Sequence, residues 1–577
     1  MTRNLAHGLV WLAAGAVPAV AGAQPDARAR TVPIAMTGVP QLDEARRTQS
    51  QFEVFRRMNL PEYRGSGGQS GNYEALVGNF RYWYQEEEIP AEPPAIAEAR
   101  ERLLATLAEA ARAYPTDDWT SGQRVRYLLE ARDQKRAMQA ARECGGEAWW
   151  CAALTGLIHH EARQYAQADS VFTRSLAQMS DRQRCDWTDV GVLLDEYTGR
   201  GYRRAECGSA ERLRFEQRLW FISKPLFSEP GVDTRSEYLS RVTMTNILEN
   251  AESAHPGGFN LDQRELALRY GWERGWSFRG GPEGGVIGHE RTPAYQFIPP
   301  AHAINNPALS DSADWENGMP PIHARYSAAH ALRIHPLTHQ SALFRRGDSA
   351  LVVVAWDASH QPITTGGRRE MAVILARSDS LKPFVTRLAD APLTGVMVAR
   401  GLWGQLLFSA ELTAANYDSA SRARYGLRPP YAIGARVTLS EMLFFRESDS
   451  LPTTLEQAIP HAIPTMRVRS DQKLGVYFES YGTNPQGEML NITVTIGSEE
   501  AEPGFLKRRL RAIGLGSASQ PVAVTHQVMS VRGGSTTPSS VYLDISTMKR
   551  GSYIVQIEVD VAGQYTVRSE RTLEVTN

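Results

Sequence analysis

The chain has almost no net charge: 63 Lys and Arg against 64 Asp and Glu leave −1 over 577 residues, with the two signs interspersed. Without a basic stripe there is no electrostatic footprint for nucleic acid, and without a basic helix nothing draws the chain to an anionic membrane. Long apolar runs are also missing. Leu9 to Val20, preceded by Arg3, is too short for a bilayer, which takes ~20 residues, and no later segment approaches that length. GxGxxG, a Walker loop, HExxH and GxSxG are all absent, and these are the spacings that dinucleotides, phosphates, catalytic zinc and nucleophilic serine require. No catalytic set, cofactor or metal is therefore expected, and no nucleic-acid partner or direct membrane span.

What the N-terminus does offer is an export pattern. The small residues of Ala21-Gly22-Ala23 close the apolar run and place signal cleavage before Gln24, giving a signal peptide over 1–23. The residue directly after that point is Gln24 and not cysteine, so a lipid anchor is not indicated. The four cysteines, Cys144, Cys151, Cys185 and Cys207, all fall in one part of the chain. An even number in an exported protein favours disulfides over free thiols. Locality favours Cys144 with Cys151 and Cys185 with Cys207. Crossed pairs remain open if the helix between them returns antiparallel, and so does a zinc site, although no C-x2-C knuckle is present.

The most informative stretch is Ala148 to Ser180. Gly156, Tyr165, Ala168, Phe172 and Leu176 stand at the spacing of a tetratricopeptide-like helical hairpin, where small residues let two helices approach and aromatics fill the groove beside them. Thr155, Ala152 and His159 depart from that pattern. Upstream, Pro94 to Tyr114 and Gly122 to Arg142, broken near Asp133, have the Ala, Leu, Glu and Arg texture of further helices. Two to three hairpins of a solenoid-like all-α domain are expected within 75–208; a non-repeating bundle is the alternative. Before it lies a partly flexible segment, 24–74, with a helix over Gln41–Met58 and a loop over Arg64–Asn72. Phe80, Tyr82, Trp83 and Tyr84 then precede the acidic run Glu86–Glu88, a cluster read as packing on the first repeat helix or as a sugar or cation platform.

Ala210 to Ile222 reads as an amphipathic helix, Thr234 and Glu237 as a capping box opening a second helix to about Glu252, and Leu261 to Tyr270 as a third that stops at Gly271. The order LWFISKPLF, DTRSEYLSRV, GFNLDQRELALRYG resembles the GWxTD domain of exported Gram-negative proteins. The resemblance rests on Arg235, Glu237 and Arg241 and on Asp262, Arg264, Arg269, Tyr270 and Gly271. It covers about 215–300 and implies a small helical domain, set here at 209–300, in the periplasm or outside the cell. In the naming motif, Gly258 to Asp262, Phe259 stands for Trp and Leu261 for Thr; Trp272-Glu273-Arg274 replaces the usual Pro-Pro-Asp. The resemblance carries no activity with it.

From Pro299 to Gln340 no periodicity persists, so 301–340 reads as a linker. The period then changes to that of strands. Leu351–Val354, Met371–Leu375, Val396–Val398, Leu406–Leu412 and Val437–Phe445 suggest a β-sandwich over 341–446. After a polar linker, 447–465, the alternation of Leu474, Val476 and Phe478, of Leu490 to Ile496 and of Tyr553 to Val561 suggests an Ig-like antiparallel sandwich over 466–577.

Other residues invite chemistry and are better read as structure. His335 and His339 are four apart, but Pro336 lies between them in a non-helical stretch. His159-His160-Glu161 falls within the repeat helix. The glycines 280, 281, 284, 285 and 288 read as a surface loop, and Arg346-Gly347-Asp348-Ser349 as a strand-entry turn, not an adhesion tripeptide. The leading expectation is a non-enzymatic exported scaffold that binds a protein, peptide or glycan through its helical half. The alternative is a hydrolase of an envelope polymer with Glu283, His289 and Glu290 at the 280–290 loop.

Overall fold

The computed structural model describes residues 36–63, 75–77, 80–82, 90–281, 285–290, 298–315, 333–361, 368–377, 382–414, 419–430, 436–498 and 522–576. The signal segment, the Arg64–Asn72 loop, Trp83, Tyr84, Glu86–Glu88 and Glu283 lie outside these residues. A helical half is followed by a β-rich half with several sheets.

Helix α1 (Pro40–Met58) is followed by the short pair β1 (Ala75–Val77) and β2 (Phe80–Tyr82). Four further helices, α2 (Pro94–Ala113), α3 (Asp118–Glu130), α4 (Gln134–Arg142) and α5 (Ala148–Glu161), lead to α6 (Tyr165–Gln178). The breaks have local causes. Pro94 opens α2, the Asp117 carboxylate accepts from Thr120 N at the start of α3, and the Asp133 carboxylate accepts from Arg136 N at the start of α4. Helices α5 and α6 approach closely because Gly156 has no side chain: a Cβ there would sit 2.8 Å from the Phe172 ring. Helix α1 packs on α2 and contributes Leu42, Ala45 and Phe52 to the same core, so it belongs to the helical body and not to a flexible leader.

Next come α7 (Asp181–Thr188), α8 (Glu196–Arg204), α9 (Ala210–Ile222), α10 (Asp233–Glu249) and α11 (Leu261–Tyr270). Cys144 is bonded to Cys151 and Cys185 to Cys207, with Cα atoms 5.7 and 5.9 Å apart; no described cysteine is free. These are the local pairs. Gly271 ends α11 at φ 96°, a backbone that glycine adopts without strain. The region 209–300 is not wholly helical, however. Strands β3 (Glu273–Arg279) and β4 (Gly285–Glu290) form a hairpin; Gly280 and Gly281 follow β3, whereas Gly285 and Gly288, read as surface loop, lie within β4.

In the expected linker 301–340 the described residues, 301–315 and 333–340, are largely structured. Helix α12 (Ala301–Asn305) packs on α9, the two short turns that follow it to Trp315 pack on the β half, and β5 (Arg333–Pro336) pairs in parallel with β12 (Ser419–Leu427). The sheet order is β5-β12-β11-β8-β9, with β8 (Arg369–Arg377), β9 (Pro383–Ala389) and β11 (Leu406–Ala414). A three-stranded sheet of β6 (Thr338–Arg346), β7 (Ser349–Asp357) and β10 (Thr394–Leu402) faces it. The stretch Val437–Phe445 belongs elsewhere: β13 (Thr438–Leu439) and β14 (Leu443–Phe445) pair with β16 (Lys473–Tyr481) of the last unit. Helix α13 (Leu455–Ala458) lies in the expected second linker, and its buried Leu455 and Ala458 join a core with Phe344, Val353 and Tyr477. The remaining strands are β15 (Arg467–Arg469), β17 (Met489–Ser498), β18 (Val522–Met529), β19 (Thr536–Asp544), β20 (Gly551–Val561) and β21 (Val567–Thr576). They build a β15-β21-β20-β17-β18 sheet facing the one that contains β16 and β19.

Two-sided burial explains the apolar runs. On β8, Met371, Val373 and Leu375 face the three-stranded sheet, whereas Ala372, Ile374 and Ala376 join the core of the helical half. On β7, Val352 and Val354 face β8's sheet while Leu351 and Val353 face the last unit. A strand covered on both faces reads as a continuous apolar run, not as an alternation. The junction with the helical half is also polar. The buried Glu411 carboxylate accepts from Phe227 N at 2.9 Å and Ser228 N at 2.8 Å and pairs with Arg424 at 2.9 Å. Arg424 in turn donates to Lys224 O and Pro225 O and lies over the Phe227 ring.

Candidate functional site

Helix α10 packs on both α3 and α11, and a cavity of about 440 Å³ opens between these helices and the β3–β4 hairpin. From α3 come Arg126, Leu129 and Glu130, and from the turn after it Arg132; Glu161 comes from the end of α5. Met244 and Leu248 of α10, Phe259, and Leu266 and Ala267 of α11 form an apolar wall. The hairpin closes the far side with Glu273, Trp276, Val286, Ile287 and Gly288, after Trp272. This volume is in the range of small-molecule sites.

Charge is concentrated behind this wall. Glu53 accepts from Arg126 at 3.0 Å and from the Tyr127 hydroxyl at 2.6 Å. Glu130 accepts from Arg126 at 3.1 Å and from Arg56 at 2.5 Å. Arg57 pairs with Glu252 at 2.9 Å. Arg56 lies between the Phe52 and Trp276 rings, 4.5 Å from each centroid, so Trp276 separates a buried guanidinium from the cavity. Burial pushes the Glu130 carboxyl up, but the guanidinia of Arg56, Arg126 and Arg100 outweigh it and hold Glu130 below its ordinary value. Burial raises the Tyr127 phenol well above its ordinary value, so it serves as a neutral donor.

On the cavity wall itself His255 Nε2 meets both oxygens of Glu273 at 2.7 Å, and Trp276 Nε1 donates to Glu273 Oε2 at 3.0 Å. Burial favours the neutral imidazole, yet the Glu273 charge and hydrogen bond hold His255 above its ordinary value. Glu273 is shifted the opposite way: burial raises it, and His255 with Trp276 brings it below the usual carboxylate range. Arg274 pairs with Glu161. Arg132 is exposed and makes no ion pair among the described residues.

A second buried network joins the elements that hold the cavity in place. His160 Nε2 meets Glu237 Oε2 at 2.6 Å, Arg241 Nε donates to Glu237 Oε1 at 2.9 Å, and Arg241 Nη1 reaches Leu268 O and Arg269 O at the end of α11. Arg235 ties α10 to α6 through Asp169 at 2.7 Å. The capping-box reading of Thr234 and Glu237 is thus corrected. Helix α10 begins at Asp233 with no side-chain cap, and Glu237 is an internal ion-pair partner.

The other singled-out residues are placed as follows. His289 is buried and meets the Ser277 hydroxyl at 2.7 Å; it does not line the cavity, and the Glu290 side chain lies outside the described residues. His335 and His339 lie on β5 and β6 of different sheets, and His339 is held by Leu337 O and the Tyr425 hydroxyl, both at 2.8 Å. His159 meets Gln164 at 2.7 Å. Gly347 takes φ 60° at the β6–β7 turn, where Arg346 pairs with buried Glu479 across to the last unit, so the tripeptide arginine is engaged within the chain. The cavity residues were missed from sequence because Arg126, Glu130, His255 and Glu273 are scattered among ordinary charged positions. Phe259 and Trp272-Glu273-Arg274, where the resemblance departs, and Glu161, Gly271 and Gly288 were singled out in the sequence for other reasons, and nothing there brought them together.

No protein-family model matches the chain, and no curated protein matches it in sequence. Among solved structures, 41% of the chain is similar to 31% of red sea bream transglutaminase, at 12% identity and a TM-score of 0.12. Likewise, 42% of the chain overlaps 99% of a DUF3823 family protein from Bacteroides ovatus (10% identity, TM-score 0.14), and 39% overlaps 26% of Bacteroides uniformis β-glucuronidase (8% identity, TM-score 0.16). The chain spans about a third of the transglutaminase and a quarter of the glucuronidase. At these TM-scores the likenesses carry no argument. No described helix is long and apolar enough to cross a membrane.

Proposed function

We propose that the chain is an exported, non-enzymatic binding protein whose ligand sits in the cavity between the helical hairpins and the β3–β4 hairpin. In this reading α3–α4 and α5–α6 are tetratricopeptide-type hairpins of a solenoid, 209–300 is a GWxTD-like domain, and the β half is two sandwiches, the second Ig-like, that position the helical half; each is antiparallel except for one parallel edge strand, β5 and β15. The compartment is the periplasm or the cell exterior, which suits two disulfides. The partner is a protein or peptide, a glycan, or a small molecule presented in their place.

The observation that carries the reading is the cavity itself. Aliphatic and indole side chains in its wall stand beside ion-paired groups such as Arg126 and Glu130, and buried ion pairs of this kind cost stability to desolvate and are tolerated where they fix a site. A thermal-shift screen of small ligands on the full chain tests it. Hits are expected to raise the melting temperature and to lose that effect in Leu266→Trp, which intrudes on the cavity; hits unaffected by this change contradict the reading. One observation favours the alternative, a hydrolase of an envelope polymer: His255 on the cavity wall is oriented and made more basic by Glu273, as a general base is. Release of soluble fragments from isolated envelope polymer, abolished by His255→Gln, decides for that reading.

A further inference from the structure

We infer that the cavity takes a small amphipathic organic anion, an apolar body carrying one carboxylate, with Arg132 receiving the charge; this rests on the cavity being the binding site. Three observations carry it. First, the charged and ring polar groups of the wall other than Arg132 are already paired: Arg126 with Glu53 and Glu130, Trp276 Nε1 and His255 with Glu273, and Arg274 with Glu161. A sugar needs such donors and acceptors for its hydroxyls. Beside Ser253 and Gln263, what this wall mainly has left to offer is apolar surface, from residues such as Leu248, Phe259, Leu266 and Val286.

Second, the pairing leaves Arg132 as a lining guanidinium with no carboxylate partner among the described residues. Third, Arg132 occupies a position that the backbone would give to glycine. The C-terminus of α3 closes with Arg132 N donating to Leu129 O and Asp133 N to Leu128 O, with Arg132 at φ 58°. In this helix-ending turn glycine carries no strain and a larger side chain does. A strained residue that also faces a cavity points to use of its side chain. Arg163 stands at the same point after α5, with φ 60° and the equivalent hydrogen bonds to His160 O and His159 O, but does not line the cavity. It is therefore an internal control.

Calorimetric titration of the full-length protein with decanoate below its micellar concentration tests this, alongside 1-decanol and an acetylated hexapeptide ending in Leu-Phe with a free carboxylate. Saturable decanoate binding is expected, about tenfold tighter than decanol, the size of one charge-assisted hydrogen bond. Arg132→Gly should bring decanoate to the decanol level while leaving the melting temperature unchanged or raised. Arg163→Gly should leave binding unchanged. A structural role for Arg132 predicts a lowered melting temperature instead. Equal binding of decanol and decanoate overturns the anion inference while leaving the cavity a binding site. Binding of the peptide alone overturns the small-molecule assignment. If no probe binds, or Leu266→Trp leaves decanoate binding intact, the cavity reading fails as well.

Discussion

Replacing Glu411 with alanine should loosen the whole molecule, because this carboxylate holds the helical half to the β half. It accepts from Phe227 N, Ser228 N, the Ser409 hydroxyl and Arg424, all within 2.9 Å, and is fully buried. Truncation strands the buried Arg424 charge, at a cost of about 3 to 5 kcal/mol. It also leaves two backbone N–H groups without acceptors, each costing about 1 to 3 kcal/mol unless water enters. We expect a loss of at least about 4 kcal/mol, read from the urea midpoint of the full chain with its disulfides intact. The double variant Glu411→Leu, Arg424→Met removes both charges and should recover much of that loss. Acid should act in the same direction. Burial opposes ionisation of Glu411, but Arg424 and the backbone donors hold it below its ordinary value of 4.5, so its contribution is present above that value and is lost as pH falls through the lower folded-state value. A single-variant cost below about 1 kcal/mol, or a double variant whose loss equals the sum of the two singles, would refute the interface as described.

Three further outcomes are expected. His255, held above 6.5 by Glu273, contributes stability that is complete below 6.5 and lost as pH rises through the raised folded-state value; melting scans from pH 6 upward should show that decline, and His255→Gln should remove it. An unchanged pH profile in the variant would sink the assignment. Reduction should cost the helical half about 2.4 kcal/mol for the separation of 7 between Cys144 and Cys151, and about 3.4 kcal/mol for the separation of 22 between Cys185 and Cys207; Cys-to-Ser pairs measured separately should preserve that order. Gly156→Ala should destabilise the α5–α6 pair by about 1 to 3 kcal/mol, because its Cβ meets the Phe172 ring at 2.8 Å; circular dichroism melting of the variant at wild-type level would contradict the close approach.

Much of the helical half is legible from local chemistry. Pro94, Asp133 and Gly271 each mark a helix boundary by its own stereochemistry, and Gly156 with Phe172 marks a helix contact. The β half was legible as strands, but not in its grouping. Met371–Leu375 and Leu351–Val354 read as continuous apolar runs because neighbours cover both faces, and which neighbours these are is decided by pairings such as Phe444 with Val476. The site was the least legible part. Its walls come from 126–132, 161, 244–276 and 286–288, and Arg56, Glu53 and Arg126 have the composition of a solvated helix face although they are buried. Glu237 likewise fitted a cap by spacing, and only its contact with His160 on another helix shows what it does.

The most direct measurement is a crystallographic soak of the full chain with a set of small fragments that varies apolar bulk and charge independently. The account predicts that fragments bearing an apolar group and a carboxylate occupy the cavity against Trp276, Phe259 and Leu248, with the carboxylate within hydrogen-bond reach of Arg132 and the Glu53, Arg126 and Glu130 pairs undisturbed. A cavity left empty across the set while fragments settle elsewhere on the chain would contradict it.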